Sequence, residues 1–194
     1  MLKINKGEPW IFWPNSICET FPENSGNTVL SKKLDYIMEI DFTLTDESDL
    51  DKTLFALVPR YMGLNITNDG ISFTTTFEDD VQYHFLPYVI VPHTYTKIKL
   101  NHVYGSGLEL YLNDEIILNV ELSEKELGLD SSPHIIFGAG NFPKNKTNTN
   151  FTEFQFHKFR LTSNEEVISD HTFNEFIHNK SVDVTGNCNF LHKI

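Results

Sequence analysis

Between Thr94 and Leu122 the chain reads TYTKIKLNHVYGSGLELYLNDEIILNVEL. Apolar and polar residues alternate through most of it, and two turn signals cut it into segments of strand length. Gly105-Ser106-Gly107 is the first signal and Asn113-Asp114 the second. Asn and Asp tolerate the left-handed backbone that a two-residue hairpin turn demands. Period-two alternation broken by such turns specifies antiparallel strands and leaves almost no room for helix.

The same grammar recurs along the chain. Tyr36, Met38, Ile40, Phe42 and Leu44 alternate with Asp35, Ile37, Glu39, Asp41 and Thr43, which predicts a strand with one apolar and one mostly polar face. Leu54 to Val58 reads as a short buried strand, Gly63 to Phe77 as a hairpin turning at Asn68-Asp69-Gly70, and Val81 to Leu86 as a strand ended by Pro87. Leu108, Leu110 and Leu112 are expected on one face of their strand, with Ile116, Leu118, Val120 and Leu122 on the facing one. Ile135 to Phe137 starts another strand. In Phe151 to Leu161 the alternation slips between Phe156 and Phe159, the signature of a β-bulge near His157-Lys158. Ser123 with Glu126, and Ser163 with Glu166, form capping-box patterns that predict short helical turns. No internal repeat is visible, which argues against a propeller or solenoid.

Taken in order, these phrases resemble a laminin-G-like domain of the concanavalin A-like lectin/glucanase superfamily. LDYIMEIDFTL comes first, then LFAL, YMGLNITNDGISF and TYTKIKLNHVYGSGLELYLND, followed by HIIFGAG and FTEFQFHKFRLTSNEE. Asn113-Asp114 stands where that family usually has Asn-Gly. Leu161-Thr162-Ser163 with Glu165-Glu166 stands for its closing phrase. The resemblance implies an all-β, two-sheet antiparallel jelly-roll sandwich over residues 34–172. Residues 1–33 and 173–194 are then expected to be irregular extensions. A short acidic chain of this kind is also similar to accessory structural proteins of bacteriophage particles, which implies a virion setting.

Charge excludes some functions. Fifteen basic against 27 acidic residues give a net charge of -12, with no basic patch to attract phosphate. Nucleic acid and anionic membranes are therefore not expected partners. MLKINKGEPWIFWP has no continuous apolar run, so neither a signal peptide nor membrane insertion is expected, and the alternative to the virion is the cytoplasm. Cys18 and Cys188 are expected to be reduced thiols; a pairing between the two ends is the alternative.

Candidate sites remain. Sugar binding needs an aromatic ring to stack and amides or carboxylates to meet hydroxyls. Asn141, Phe142, Asn145 and Asn148 offer these in one polar loop, and Glu109 and Tyr111 on the face opposite the leucines. Trp10, Phe12 and Trp13 suggest either a lid over the core or a docking surface for a partner. Asp46, Asp49 and Asp51 could ligate calcium, an ion common in the resembled superfamily; otherwise they make a solvated acidic loop, and no cofactor is needed. The laminarinase-type hydrolases of that superfamily carry a motif like E-I-D-x-x-E. Here Glu39-Ile40-Asp41 is followed by Leu44 where the acid/base would stand, so no enzyme is expected. The expectation is a glycan- or protein-binding module, a virion decoration or tail-associated adhesin, assembled as a homo-oligomer or within a larger structure. The alternatives are an assembly protein docking through its terminal segments and, behind that, a glucanase-like hydrolase.

Overall fold

The computed structural model describes residues 1–5, 8, 10–13, 35–45, 52–58, 62–77, 80–103, 105–121, 134–138, 153–163, 165–173, 176–177, 180–181, 183, 185 and 190–193. Every regular element among them is a strand. In chain order these are β1 (Leu2–Ile4), β2 (Trp10–Trp13), β3 (Tyr36–Leu44), β4 (Lys52–Val58), β5 (Met62–Thr67), β6 (Gly70–Phe77), β7 (Asp80–Leu86) and β8 (Tyr95–Val103). There follow β9 (Gly107–Leu112), β10 (Glu115–Glu121), β11 (His134–Phe137), β12 (Phe154–Ser163), β13 (Glu166–His171), β14 (Phe176–Ile177), β15 (Lys180–Ser181) and β16 (Phe190–Lys193).

They form a two-sheet antiparallel jelly-roll sandwich. The front sheet has seven strands in the order β1-β12-β3-β8-β9-β10, with β13 also on β12. The back sheet has nine, in the order β14-β15-β16-β2-β11-β4-β5-β6-β7. Alternation decides what each strand buries. Tyr36, Met38, Ile40, Phe42 and Leu44 of β3 all face the core, and the residues between them face outward. Between the sheets lies an aromatic cluster. Phe159 of β12 meets Phe12 of β2 edge-on at 4.8 Å and Phe137 of β11 at 5.2 Å between ring centroids. Phe156 meets Phe137 at 4.9 Å and Phe173 at 4.7 Å. Offset and edge-on rings of this kind bind the two sheets beyond simple burial.

Local turn chemistry fixes the register. Asn113 and Asp114 take φ of 49° and 71° and close the β9–β10 hairpin, as their sequence requires. The β12 bulge falls between Phe156 and Lys158, where the alternation slips. Gly70 begins β6 against β7, where a Cβ would lie 2.1 Å from the Leu86 carbonyl oxygen and 3.2 Å from the Phe85 ring. Gly70→Ala is expected to cost about 1–3 kcal/mol through that clash, read as a lower urea midpoint at unchanged m-value.

Several expectations need correction. The terminal segments are not simply irregular. β1 pairs with β12, and β2 lies between β11 and β16. WIFW forms a strand although Pro9 and Pro14 flank it in the sequence. Ser163 and Glu166 do not cap a helix. They face each other across the β12–β13 hairpin, with Glu165 at φ 68°, because pairing along β12 outweighs a local cap. In β10 a register shift between Ile116 and Leu118 reverses the alternation: Ile116 is 53% exposed, whereas Ile117, Leu118 and Val120 pack on the core. The Ser123–Glu126 pattern lies outside the described residues.

Candidate functional site

The outward side chains of the front sheet form a polar face. The β3–β8, β8–β9 and β12–β3 registers set them in rows, one of which runs Arg160–Glu39–Lys99–Tyr111 across four strands. Opposite charges alternate along it, an arrangement that favours the pairing. At one end Arg160 donates through Nε to Asp170 Oδ2 at 2.9 Å, and its Nη2 binds the same oxygen.

Glu109 and Tyr111 come together at the other end of this face. The Tyr111 hydroxyl donates to Glu109 Oε2 at 2.6 Å, and Asn101 Nδ2 donates to the same oxygen at 2.9 Å. Lys99 Nζ sits 3.7 Å from the centre of the Tyr111 ring, a cation–π contact. The two hydrogen bonds, chiefly that from Tyr111, hold the Glu109 carboxyl below its ordinary range, and Lys99 adds to the effect. The bond to Glu109 in turn raises the Tyr111 hydroxyl. Glu109 is thus an ionised acceptor at neutral pH.

A second cluster lies on the same face. The Tyr95 hydroxyl donates to Asp41 Oδ2 at 2.6 Å, and its ring lies 5.3 Å from that of His157. His157 Nε2 is 2.8 Å from Thr43 Oγ1. Desolvation and the Asp41 bond push the Tyr95 hydroxyl up to about 12. Loss of solvation, with the nearby N-terminal ammonium, lowers His157 despite Asp41.

The other expected sites fall elsewhere. Asn141, Phe142, Asn145 and Asn148 lie outside the described residues, as do Asp46, Asp49 and Asp51. Among the described residues no group of three or more His, Cys, Asp or Glu side chains could share an ion. Trp10 and Phe12 are buried in the back sheet, at 6% and 0% exposure, so they do not present the docking surface their sequence suggested; Trp13 continues the same strand. Leu44, in the acid/base position of the resembled hydrolases, faces the core. Sequence reasoning missed Lys99 and Asn101. Only the register that sets Lys99 against Tyr111 and Asn101 against Glu109 brings them in.

No protein-family model matches the sequence, and no curated protein sequence matches it. Solved structures do resemble the fold. A protein described as a candidate carbohydrate binder from Bacteroides ovatus superposes with a TM-score of 0.66 at 11% identity, over 99% of this chain and 58% of that one. The chain thus spans less than two thirds of that protein's length. The CBM40 of the Ruminococcus gnavus IT-sialidase, solved with α2,3-sialyllactose, superposes with a TM-score of 0.56 at 14% identity, over 87% and 92% of the two chains. The likeness is one of fold. Both neighbours are described as carbohydrate binders.

Proposed function

We propose that this chain is a non-enzymatic glycan-binding module whose ligand lies on the outer face of the front sheet. The observation that carries this reading is the constellation of Glu109, Asn101, Tyr111 and Lys99. It offers an ionised acceptor, an amide, a phenol and an ammonium on one rigid sheet surface. Both protein donors to Glu109 bind Oε2, so Oε1 is the oxygen that would accept from a sugar hydroxyl. Tyr95, Asp41 and His157 extend the polar surface along the face. The shared fold of the two carbohydrate-binding neighbours supports the same reading. A particle-borne adhesin is the setting that follows from the sequence resemblance.

The test is a glycan array probed with the purified chain, with and without calcium. Glu109→Gln keeps the shape and removes the charge. It is expected to weaken the bound glycan's Kd about tenfold or more, the worth of a charge-assisted hydrogen bond. Thermal unfolding should change little. A blank array in both conditions would overturn this reading in favour of an assembly protein.

A further inference from the structure

Strand β7 is built inside out. Val81, Tyr83 and Phe85 are 44%, 76% and 59% exposed, while Leu86 is buried and His84 turns inward with its Nε2 enclosed. The exposed apolar surface continues through Tyr88, Val89 and Val91. β7 is also the end of the back sheet: β6 pairs with one side of it without a bulge, and among the described residues no strand pairs with the other.

An open edge of this kind is a template for another strand, and native sheets usually blunt it with charge, proline or a bulge. The far edge of the front sheet shows two of these devices, since β10 carries Glu115, Glu121 and a register shift. β7 carries a single charge, at its first residue Asp80, and from Val81 to Leu86 it has no charge, proline or bulge. Large apolar strips left exposed mark interaction surfaces.

We propose that β7 pairs antiparallel with β7 of a second copy about a two-fold axis at Tyr83, joining two back sheets into one. Two observations favour a second copy over an unrelated partner. The strand is complementary to itself. In that register Val81 meets Phe85 of the second copy, Tyr83 meets Tyr83, and Gln82 meets His84. Aromatic and β-branched side chains thus pair on the outer face and polar ones on the inner, with no like charges opposed. The edge is also electrically suited to self-contact. A chain of net charge -12 repels its copy over most of its surface, yet no Asp, Glu, Lys or Arg occurs from Val81 to Thr96. The outward neighbours on β6, Ser72 and Thr74, are neutral too.

Light scattering on the full chain, over low to high micromolar concentrations, tests the pairing. The wild type is expected at twice its 22.4 kDa mass, and Tyr83→Lys at the monomer mass with unaltered thermal unfolding. In a Cys18→Ser, Cys188→Ser background, Tyr83→Cys is expected to form a covalent dimer under mild oxidation. Directly opposed residues of antiparallel strands lie about 4.5–5.5 Å apart at Cα, within disulfide reach. Thr74→Cys, one strand inward on the same face, should form no intermolecular disulfide under the same oxidation. A monomeric wild type, or a dimer that Tyr83→Lys leaves intact, would overturn the proposal. So would a monomer whose glycan binding is lost in Tyr83→Lys, because the strip would then be a ligand platform.

Discussion

Phe159→Ala is expected to lower the unfolding free energy by about 3–5 kcal/mol, the cost of emptying a large buried aromatic site. Phe159 has no solvent exposure and belongs to β12, yet its nearest ring partners, Phe12 and Phe137, lie on the opposite sheet. It also stacks on His171 at 6.1 Å. Removing its ring opens a void between the sheets that strands held by backbone pairing on both sides cannot collapse to fill. Chemical denaturation at neutral pH measures this directly. A loss below 1 kcal/mol, about what one methylene is worth, would mean that the sheets repack over the gap.

The second large effect depends on pH. His171 is fully buried, and its imidazole is pushed from 6.5 down to about 4 by loss of solvation, against the opposing pull of Asp183 and Asp170. The unfolded chain binds a proton at this residue near pH 6.5, and the folded chain binds it only near 4. Between these values the unfolded state holds more protons, so stability falls as pH drops from 6.5 to 4 and levels off below. The window corresponds to roughly 3 kcal/mol at most. Urea midpoints across pH 7 to 4 should therefore fall in the wild type and stay flatter in His171→Phe, which keeps an aromatic ring among Phe12, Phe159 and Phe173. Equal slopes in the two proteins would assign the acid sensitivity elsewhere. Of the two carboxylates that act on His171, Asp183 is well supplied with bonds, whereas Asp170 Oδ1 is buried and makes no hydrogen bond among the described residues. Asp183 accepts from Ser169 Oγ and the Asp170 amide at 3.0 Å, and from Thr185 Oγ1 at 2.7 Å.

What the sequence made legible depended on length and on turns. β3 is long enough for its alternation to fix both its limits and its buried face. The β9–β10 turn was readable because Asn113-Asp114 has few other uses between alternating segments. Strands such as β2 and β16 are four residues each, too short for a period to emerge, and they exist because neighbouring strands hold them. Parity was the other blind spot. In β7 the alternation is plain, but alternation does not say which face is inside. Burying Leu86 commits His84 and Gln82 inward and Tyr83 and Phe85 outward. In β10 a single bulge does the same to Ile116. At the candidate site, alternation was enough to put Glu109 and Tyr111 on the polar face. Their partners Lys99 and Asn101 come from a neighbouring strand and needed the register.

The weave of the back sheet also bears on how the chain is made. β2 takes its place between β11 and β16, partners from the middle and the far end of the sequence. A nascent chain leaving the ribosome can close the local β5–β6–β7 meander early, since those contacts are near in sequence. β2 then waits for β11, and one of its edges stays bare until residues 190–193 have emerged. Such distant pairings must be reached against chain entropy before they return any stabilisation, and they make for slow folding. Synthesis of this chain therefore passes through a period in which WIFW is an apolar edge in search of a partner, the stage at which a holding chaperone would have the most to bind.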